Sequence, residues 1–172
     1  HPCQILADFM TIKEKKKTLK GLKIAWIGDG NNVCNSMIYG AALSGAKMSI
    51  ATLKGFEPDK STVKVSQNLT DIELTTDPLK AAENADVVVT DTYSSIHNND
   101  SKRIKKFIPK YQVNDKIMDL AKKNAIFLHC LPAKRDQEVT SSVIDGPQSV
   151  VWDEAENRLH TQKALLCALL HA

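Results

Sequence analysis

Short runs of β-branched and apolar residues alternate with longer stretches of helical period along nearly the whole chain. Lys23 to Ile27, Met48 to Ala51, Ile72 to Thr75, Asp86 to Thr90, Ala125 to His129 and Ser149 to Trp152 have the length and composition of strands. Around them, Gln4 to Lys16, Val33 to Ser44, Pro58 to Gln67, Pro78 to Glu83, Asn114 to Lys123 and Glu154 to His171 carry helical patterns. Parallel strands need crossover connections, and a strand-helix alternation supplies them. The pattern predicts an α/β fold, a mainly parallel sheet flanked by helices on both faces.

Composition narrows the picture without changing it. A chain of 172 residues, 42% hydrophobic and 25% charged, fits a single Rossmann-like domain with a proper core and leaves no room for a second full domain. Its longest apolar stretches, such as Ala164 to Leu170, fall far short of the roughly 20 residues that span a bilayer. His1 to Met10 lack the features of a secretory signal, so a cytoplasmic location is expected. Cys3, Cys34, Cys130 and Cys167 form neither a CxxC pair nor a cluster at metal-ligand spacing, and they read as reduced thiols with no metal to hold. The net charge of +3 is small, and the basic runs Lys13 to Lys17 and Lys102 to Lys106 carry no interleaved aromatics. They read as solvated faces, and nucleic acid is not an expected partner.

In a parallel sheet the ligand sits beyond the carboxyl ends of the strands, where loops converge and helix amino termini point inward. Gly28-Asp-Gly-Asn-Asn32 stands at such an end and opens a helix. It resembles a dinucleotide turn, but Val33 replaces the third glycine and no acidic residue ends the second strand at Thr52-Leu-Lys54. Two readings remain: an Asn capping the helix, or Asn amides lining a polar ligand site. Asp91-Thr-Tyr-Ser-Ser95 offers a carboxylate that either holds a cationic amine or caps its own loop. In His129-Cys-Leu-Pro132 the thiol is either a small buried filler or a reactive group, with no glycine elbow to support covalent catalysis. In the last helix, Leu159, Gln162, Leu166 and Leu169 or Leu170 trace a stripe that reads mostly as a core face. Arg158 lies beside it, as a surface ion-pair partner or a functional cation.

The identity and order of these motifs resemble the second domain of the transcarbamoylases, and within them the ornithine carbamoyltransferases. HPCQ at residues 1–4 is similar to that family's HPxQ signature, DGNN at 29–32 to its ornithine-contacting turn, HCLP at 129–132 to its cysteine loop, and AENRLHTQKA at 155–164 to its final helix. Aspartate enzymes of the family carry proline where Cys130 stands; Cys130 and Asp91 favour a cationic amino acid. The resemblance implies that His1 and Gln4 hydrogen-bond the carbamoyl group and that Arg158 polarises its carbonyl, where negative charge develops in the transition state. It also implies that Asn32 and Asp91 hold ornithine, that Ser95, Ile96 and Leu131 contact it, and that Cys130 orients the attacking amine without forming a covalent bond.

No cofactor is implied, because a neutral amine attacks an activated carbonyl and phosphate leaves. The partners implied are ornithine, carbamoyl phosphate and a preceding domain with a Ser-Thr-Arg-Thr phosphate cradle, in a homotrimer. No such string occurs in the sequence, and the chain starts inside HPCQ, so a fragment lacking its carbamoyl phosphate domain is expected. The stripe on the last helix would then be partly uncovered. The loop Asp91-Thr-Tyr-Ser-Ser-Ile-His97 departs from the family's Asp-x-Trp-x-Ser-Met-Gly, and loss of that glycine removes backbone freedom. A modified ornithine, another diamine or a non-catalytic binding module therefore stay open as alternatives.

Overall fold

A computed structural model describes residues 1–93 and 101–171. Five parallel strands form one sheet: β1 (Lys23–Ile27), β2 (Lys47–Ala51), β3 (Ile72–Thr75), β4 (Val87–Thr90) and β5 (Ile126–His129), in the order β3-β2-β1-β4-β5. The helices of the described residues are α1 (Pro2–Lys16), α2 (Asn32–Ser44), α3 (Lys60–Ser66), α4 (Pro78–Ala82), α5 (Ser101–Phe107), α6 (Asp115–Leu120), α7 (Ser141–Ile144) and α8 (Val151–Leu170). The α/β architecture expected from the alternating pattern is the one observed. No helix among the described residues is long and apolar enough to cross a membrane.

Alternation along the strands divides the core into two layers, since successive side chains leave opposite faces of a pleated strand. Ile24, Trp26, Met48, Ile50, Val87 and Val89 face α1, α2 and α3. Ala25, Ile27, Val88 and Phe127 face the opposite way and pack with apolar residues of α4, α5, α6 and α7. Burial on both faces is why β1, β4 and β5 read as nearly unbroken apolar runs. The edge strand β3 exposes Glu73, which pairs with Lys80. A charged edge resists pairing with another sheet.

The sixth expected strand, Ser149 to Trp152, is not formed. Ser149 makes one isolated parallel bridge with Phe127, the Val150 N–H donates to the Phe127 carbonyl, and Val151 already begins α8. Asp153 and Glu154 in the first turn suit the positive end of the helix dipole, and that local preference ends the extended run. Helices α5 and α7 were not signalled by the pattern. In α5 only Ile104 and Phe107 are buried, too few apolar positions to stand out within a basic run.

Helix α8 lies on α1, tied by Asn157 Nδ2 to Thr11 Oγ1 (2.9 Å) and Glu14 Oε2 (2.9 Å) and by the Lys15–Asp153 pair. This pairing carries the amino-terminal motif and the carboxyl-terminal motif to the same edge of the sheet.

Candidate active site

The strand order reverses direction at β1: its helix leads out to β2, while β4 returns on its other side. A crevice opens at such a switch point, beyond the carboxyl ends of the strands. Here the loops after β1, β4 and β5 meet.

After β1 the chain turns through Gly28, whose φ of 139° is a conformation that favours glycine. Asn31 then caps α2. Its Oδ1 accepts from the N–H groups of Val33 (3.0 Å) and Cys34 (3.1 Å), and its Nδ2 donates to Asp91 Oδ2 at 2.7 Å. The capping reading of the turn is the one observed, and the capping side chain also orients a carboxylate. Asn32 is exposed at the first residue of α2, so Asn31 is the residue placed against Asp91. Gly30 answers the dinucleotide reading. A Cβ there would lie 2.2 Å from Pro58 N and 2.6 Å from the Phe56 carbonyl oxygen, so the glycine admits the chain's own 56–58 segment.

Buried Asp91 follows β4 directly and accepts three hydrogen bonds, at Oδ2 from Asn31 and at Oδ1 from the Thr92 N–H (2.7 Å) and the Cys130 thiol (3.2 Å). Burial, then the charge and hydrogen bond of Asp91, push the Cys130 pKa far up. Such a thiol stays protonated, and a thiol is a poor nucleophile compared with a thiolate. Ser95, Ile96 and His97 lie outside the described residues.

At the end of β5 the backbone turns sharply, with Leu131 at φ 51° and a cis peptide before Pro132. His129 is buried and stabilises that turn: Nδ1 accepts from the Leu131 N–H at 2.9 Å, so Nε2 carries the proton and faces Glu138 Oε1 at 3.2 Å. Ligand atoms of Asp91, His129 and Cys130 lie within 4.8 Å of one another. A cation there would have to displace the hydrogen bonds these groups already make.

The second half of the site comes from α1 and α8. Arg158 Nη1 donates to Gln4 Oε1, and its Nε donates to Gln162 Oε1 at 2.7 Å. Gln4 Nε2 donates to Asp8 Oδ1 (2.8 Å) and Glu154 Oε1 (3.1 Å), and Glu154 Oε2 accepts the His129 N–H at 2.9 Å. Arg158 and Gln4, placed together by the sequence reading, are in contact. Their link to the Cys130 loop runs through Glu154. His1 is exposed, and its backbone nitrogen donates to Ser36 Oγ at 2.8 Å.

Sequence reasoning missed Asn31, Asp8, Glu154 and Glu138. Asp8 did leave a signal, an acid four residues after Gln4 among the buried positions of α1. Glu154 gave no signal in the sequence beyond opening the last helical pattern. Arg103 was hidden in a basic run, yet it pairs with Asp29 and donates through Nε to the Tyr93 carbonyl at 2.7 Å.

Residues 20–169 match the family model described as aspartate/ornithine carbamoyltransferase, Asp/Orn binding domain. The ornithine carbamoyltransferase of Cenarchaeum symbiosum (strain A) is 63% identical over 169 residues, covering 98% of this chain and 56% of the relative. That of Methanococcus aeolicus is 51% identical over 173 residues, with 96% and 57% covered. Among solved structures, ornithine carbamoyltransferase from Pyrococcus furiosus superposes with a TM-score of 0.91 at 49% identity, over 96% of this chain and 55% of that one. The chain thus spans just over half the length of the relatives it matches. With the family model covering most of its length and the fold in agreement, the chain belongs to the aspartate/ornithine carbamoyltransferase family, as its Asp/Orn-binding domain.

Proposed function

We propose that this chain is the ornithine-binding domain of an ornithine carbamoyltransferase, which transfers the carbamoyl group of carbamoyl phosphate to the side-chain amine of ornithine, giving citrulline and phosphate. The observation that carries the reading is the Asn31–Asp91–Cys130 cluster, a buried carboxylate at the switch point of the sheet beside a protonated thiol. An anionic centre of this kind suits a cationic amino acid. Relatives named ornithine carbamoyltransferase support the same choice.

In this reading Asp91 and the Asn amides of the turn hold the ornithine head group, with Asn32 reaching it from the exposed start of α2 and Leu131, Ser95 and Ile96 flanking it. Cys130, still protonated, orients the amine and does not attack. The amine nitrogen forms the new bond to the carbonyl carbon, the carbon–oxygen bond to phosphate breaks, and the amine proton leaves with phosphate or to solvent. Arg158, steadied by Gln4 and Gln162, faces the charge that builds on the carbonyl oxygen, and His1 joins Gln4 at the carbamoyl group.

Carbamoyl phosphate is assigned to a first domain outside these 172 residues. Holding both reactants in attack geometry is worth roughly 7–11 kcal/mol in favourable cases, so the chain alone should bind ornithine weakly and form no citrulline. The test is citrulline formation by the full-length protein. Ornithine should be carbamoylated, and Asp91→Ala should lower kcat/KM on the order of a hundredfold or more, as expected for removing a buried charged contact worth roughly 3 kcal/mol. Carbamoylation of another diamine in preference to ornithine would overturn the substrate assignment.

A further inference from the structure

Asp8 and Glu154 stand out because nothing in the reaction calls on them directly, although both are only 1% exposed and adjoin the site. They lie within hydrogen-bonding reach of each other, and no lysine is among the groups acting on either. Two carboxylates this close, out of water, cannot both stay ionised, because each charge is penalised by burial and by the other. A single proton between them removes the conflict and turns the clash into a hydrogen bond.

We propose that Asp8 and Glu154 share one proton and act as the positioning pair of the site, fixing Arg158 through Gln4 and the Cys130 loop through the His129 backbone. The functional half of this proposal rests on the carbamoyltransferase reading. Hydrogen-bond bookkeeping at Gln4 carries the argument. Its amide NH2 donates to both carboxyl groups, so its oxygen must face outward, where Arg158 donates to it. Were the amide reversed, two donors would confront each other and both carboxyl groups would lose a partner. Glu154 meanwhile uses its second oxygen for the His129 N–H, one residue before Cys130. One carboxyl pair between α1 and α8 thereby sets the carbamoyl side and the amine side of the site relative to each other.

The titration of the pair agrees with this geometry. Burial pushes Asp8 up to about 6 against the pull of Gln4, Glu154 and Arg158, while Asp91 pushes it further up. Burial and Asp8 hold Glu154 well above the usual carboxylate range, with the His129 N–H and Gln4 opposing. Among the described residues, the groups facing the pair are Gln4 on α1, Arg158 on α8, Asp91 at the end of β4, and Cys130 with the His129 N–H at the end of β5. At neutral pH the pair therefore holds one proton and one negative charge between its two carboxyl groups, and it takes a second proton as pH falls through about 6. Because the folded-state pKa is raised, the contribution of Asp8 to stability is fully present below its ordinary 3.8 and is lost as pH rises through about 6.

Infrared spectroscopy of the 172-residue chain tests the shared proton without reference to catalysis. At neutral pH the wild type should show the carbonyl stretch of a protonated, desolvated carboxyl group. Asp8→Asn should shift it, because the carboxyl group of Glu154 then hydrogen-bonds a neutral amide in place of a carboxylate. Side-chain amide NMR should show the Gln4 NH2 protected from exchange in wild type and Asp8→Asn, and unprotected in Asp8→Ala and Glu154→Ala. In the full-length protein, Asp8→Ala should lower kcat on the order of a hundredfold, the scale of a misplacement near 1 Å, and Asp8→Asn should restore most of it while removing the acid limb near pH 6. If Glu154→Ala fails to fold, Glu154→Gln serves. Its single oxygen can accept from Gln4 or from His129 but not from both, so an intermediate loss is expected.

Absence of the wild-type carboxyl band, or a loss in Asp8→Asn equal to that in Asp8→Ala, would overturn the pair. A full-length protein that forms no citrulline would overturn the carbamoyltransferase reading instead, and the band and the Gln4 protection would still decide the pair.

Discussion

Cys130 shows how little a residue type says before its neighbours are known. A cysteine at a strand end is compatible with filler, nucleophile or metal ligand, and the difference lies in where its proton goes. Asp91 takes that hydrogen bond and, with burial, keeps the thiol neutral. Alkylation should report it directly. At neutral pH iodoacetamide should modify exposed Cys167 first and leave Cys130 and buried Cys34 largely unmodified, as peptide mapping over time would reveal. Modification of Cys130 as fast as Cys167 would contradict a neutral thiol. Asp91 itself was legible as a candidate, because a carboxylate closing an apolar strand is conspicuous. Its partner Asn31 was not separable from Asn32 by sequence, since only the helix start decides which of two adjacent amides caps and which is exposed.

At the level of elements, the turn from β1 to α2 does two tasks with one geometry. Gly28 supplies the positive φ, and Gly30 lets the 56–58 segment close against the turn, with the Gly30 N–H donating to the Phe56 carbonyl at 2.8 Å. A methyl group at Gly30 would collide with backbone, which cannot swing aside as a side chain can. Gly30→Ala should therefore cost roughly 1–3 kcal/mol, the range of overpacked sites, and shift the urea midpoint downward. An unchanged midpoint would mean the segment moves freely. Strands were easier to read than their neighbours. β1, β3, β4 and β5 and all but the first residue of β2 lie within the runs that read as strands, whereas Ser149 to Trp152 has the composition of a strand and is split between a bridge and the start of α8. Composition records the preference of a segment, and competition with the next element settles its end.

For the molecule as a whole, α8 is the unusual feature. Its first turns are packed against α1, but Leu159, Leu166, Leu169 and Leu170 are 67%, 60%, 65% and 81% exposed. The stripe read mainly as a core face is therefore not covered by this domain, and the expectation that part of it lies bare is met. Apolar surface of this kind tends to be covered by association. Sedimentation velocity of the 172-residue chain should show concentration-dependent self-association, and Leu166→Glu, which leaves the α1 contacts intact, should weaken it. A wild type that stays monomeric throughout would argue that the exposed leucines are harmless.

By itself the sequence determined the class of the fold and the chemistry on offer, because both are local. Strand and helix periods are written within each segment, and Gln4, Asp91, Cys130 and Arg158 were singled out by the order of their motifs along the chain, which resembles that of a known family. Tertiary structure decided which of those groups meet and in what charge state. Asp8 and Glu154 are 146 positions apart and become a pair only when α8 lies on α1, and burial there sets their protonation. The Cys130 proton likewise depends on β4 and β5 being neighbours in the sheet. Hydrogen bonds and desolvation act through space, so no reading along the chain could have assigned them.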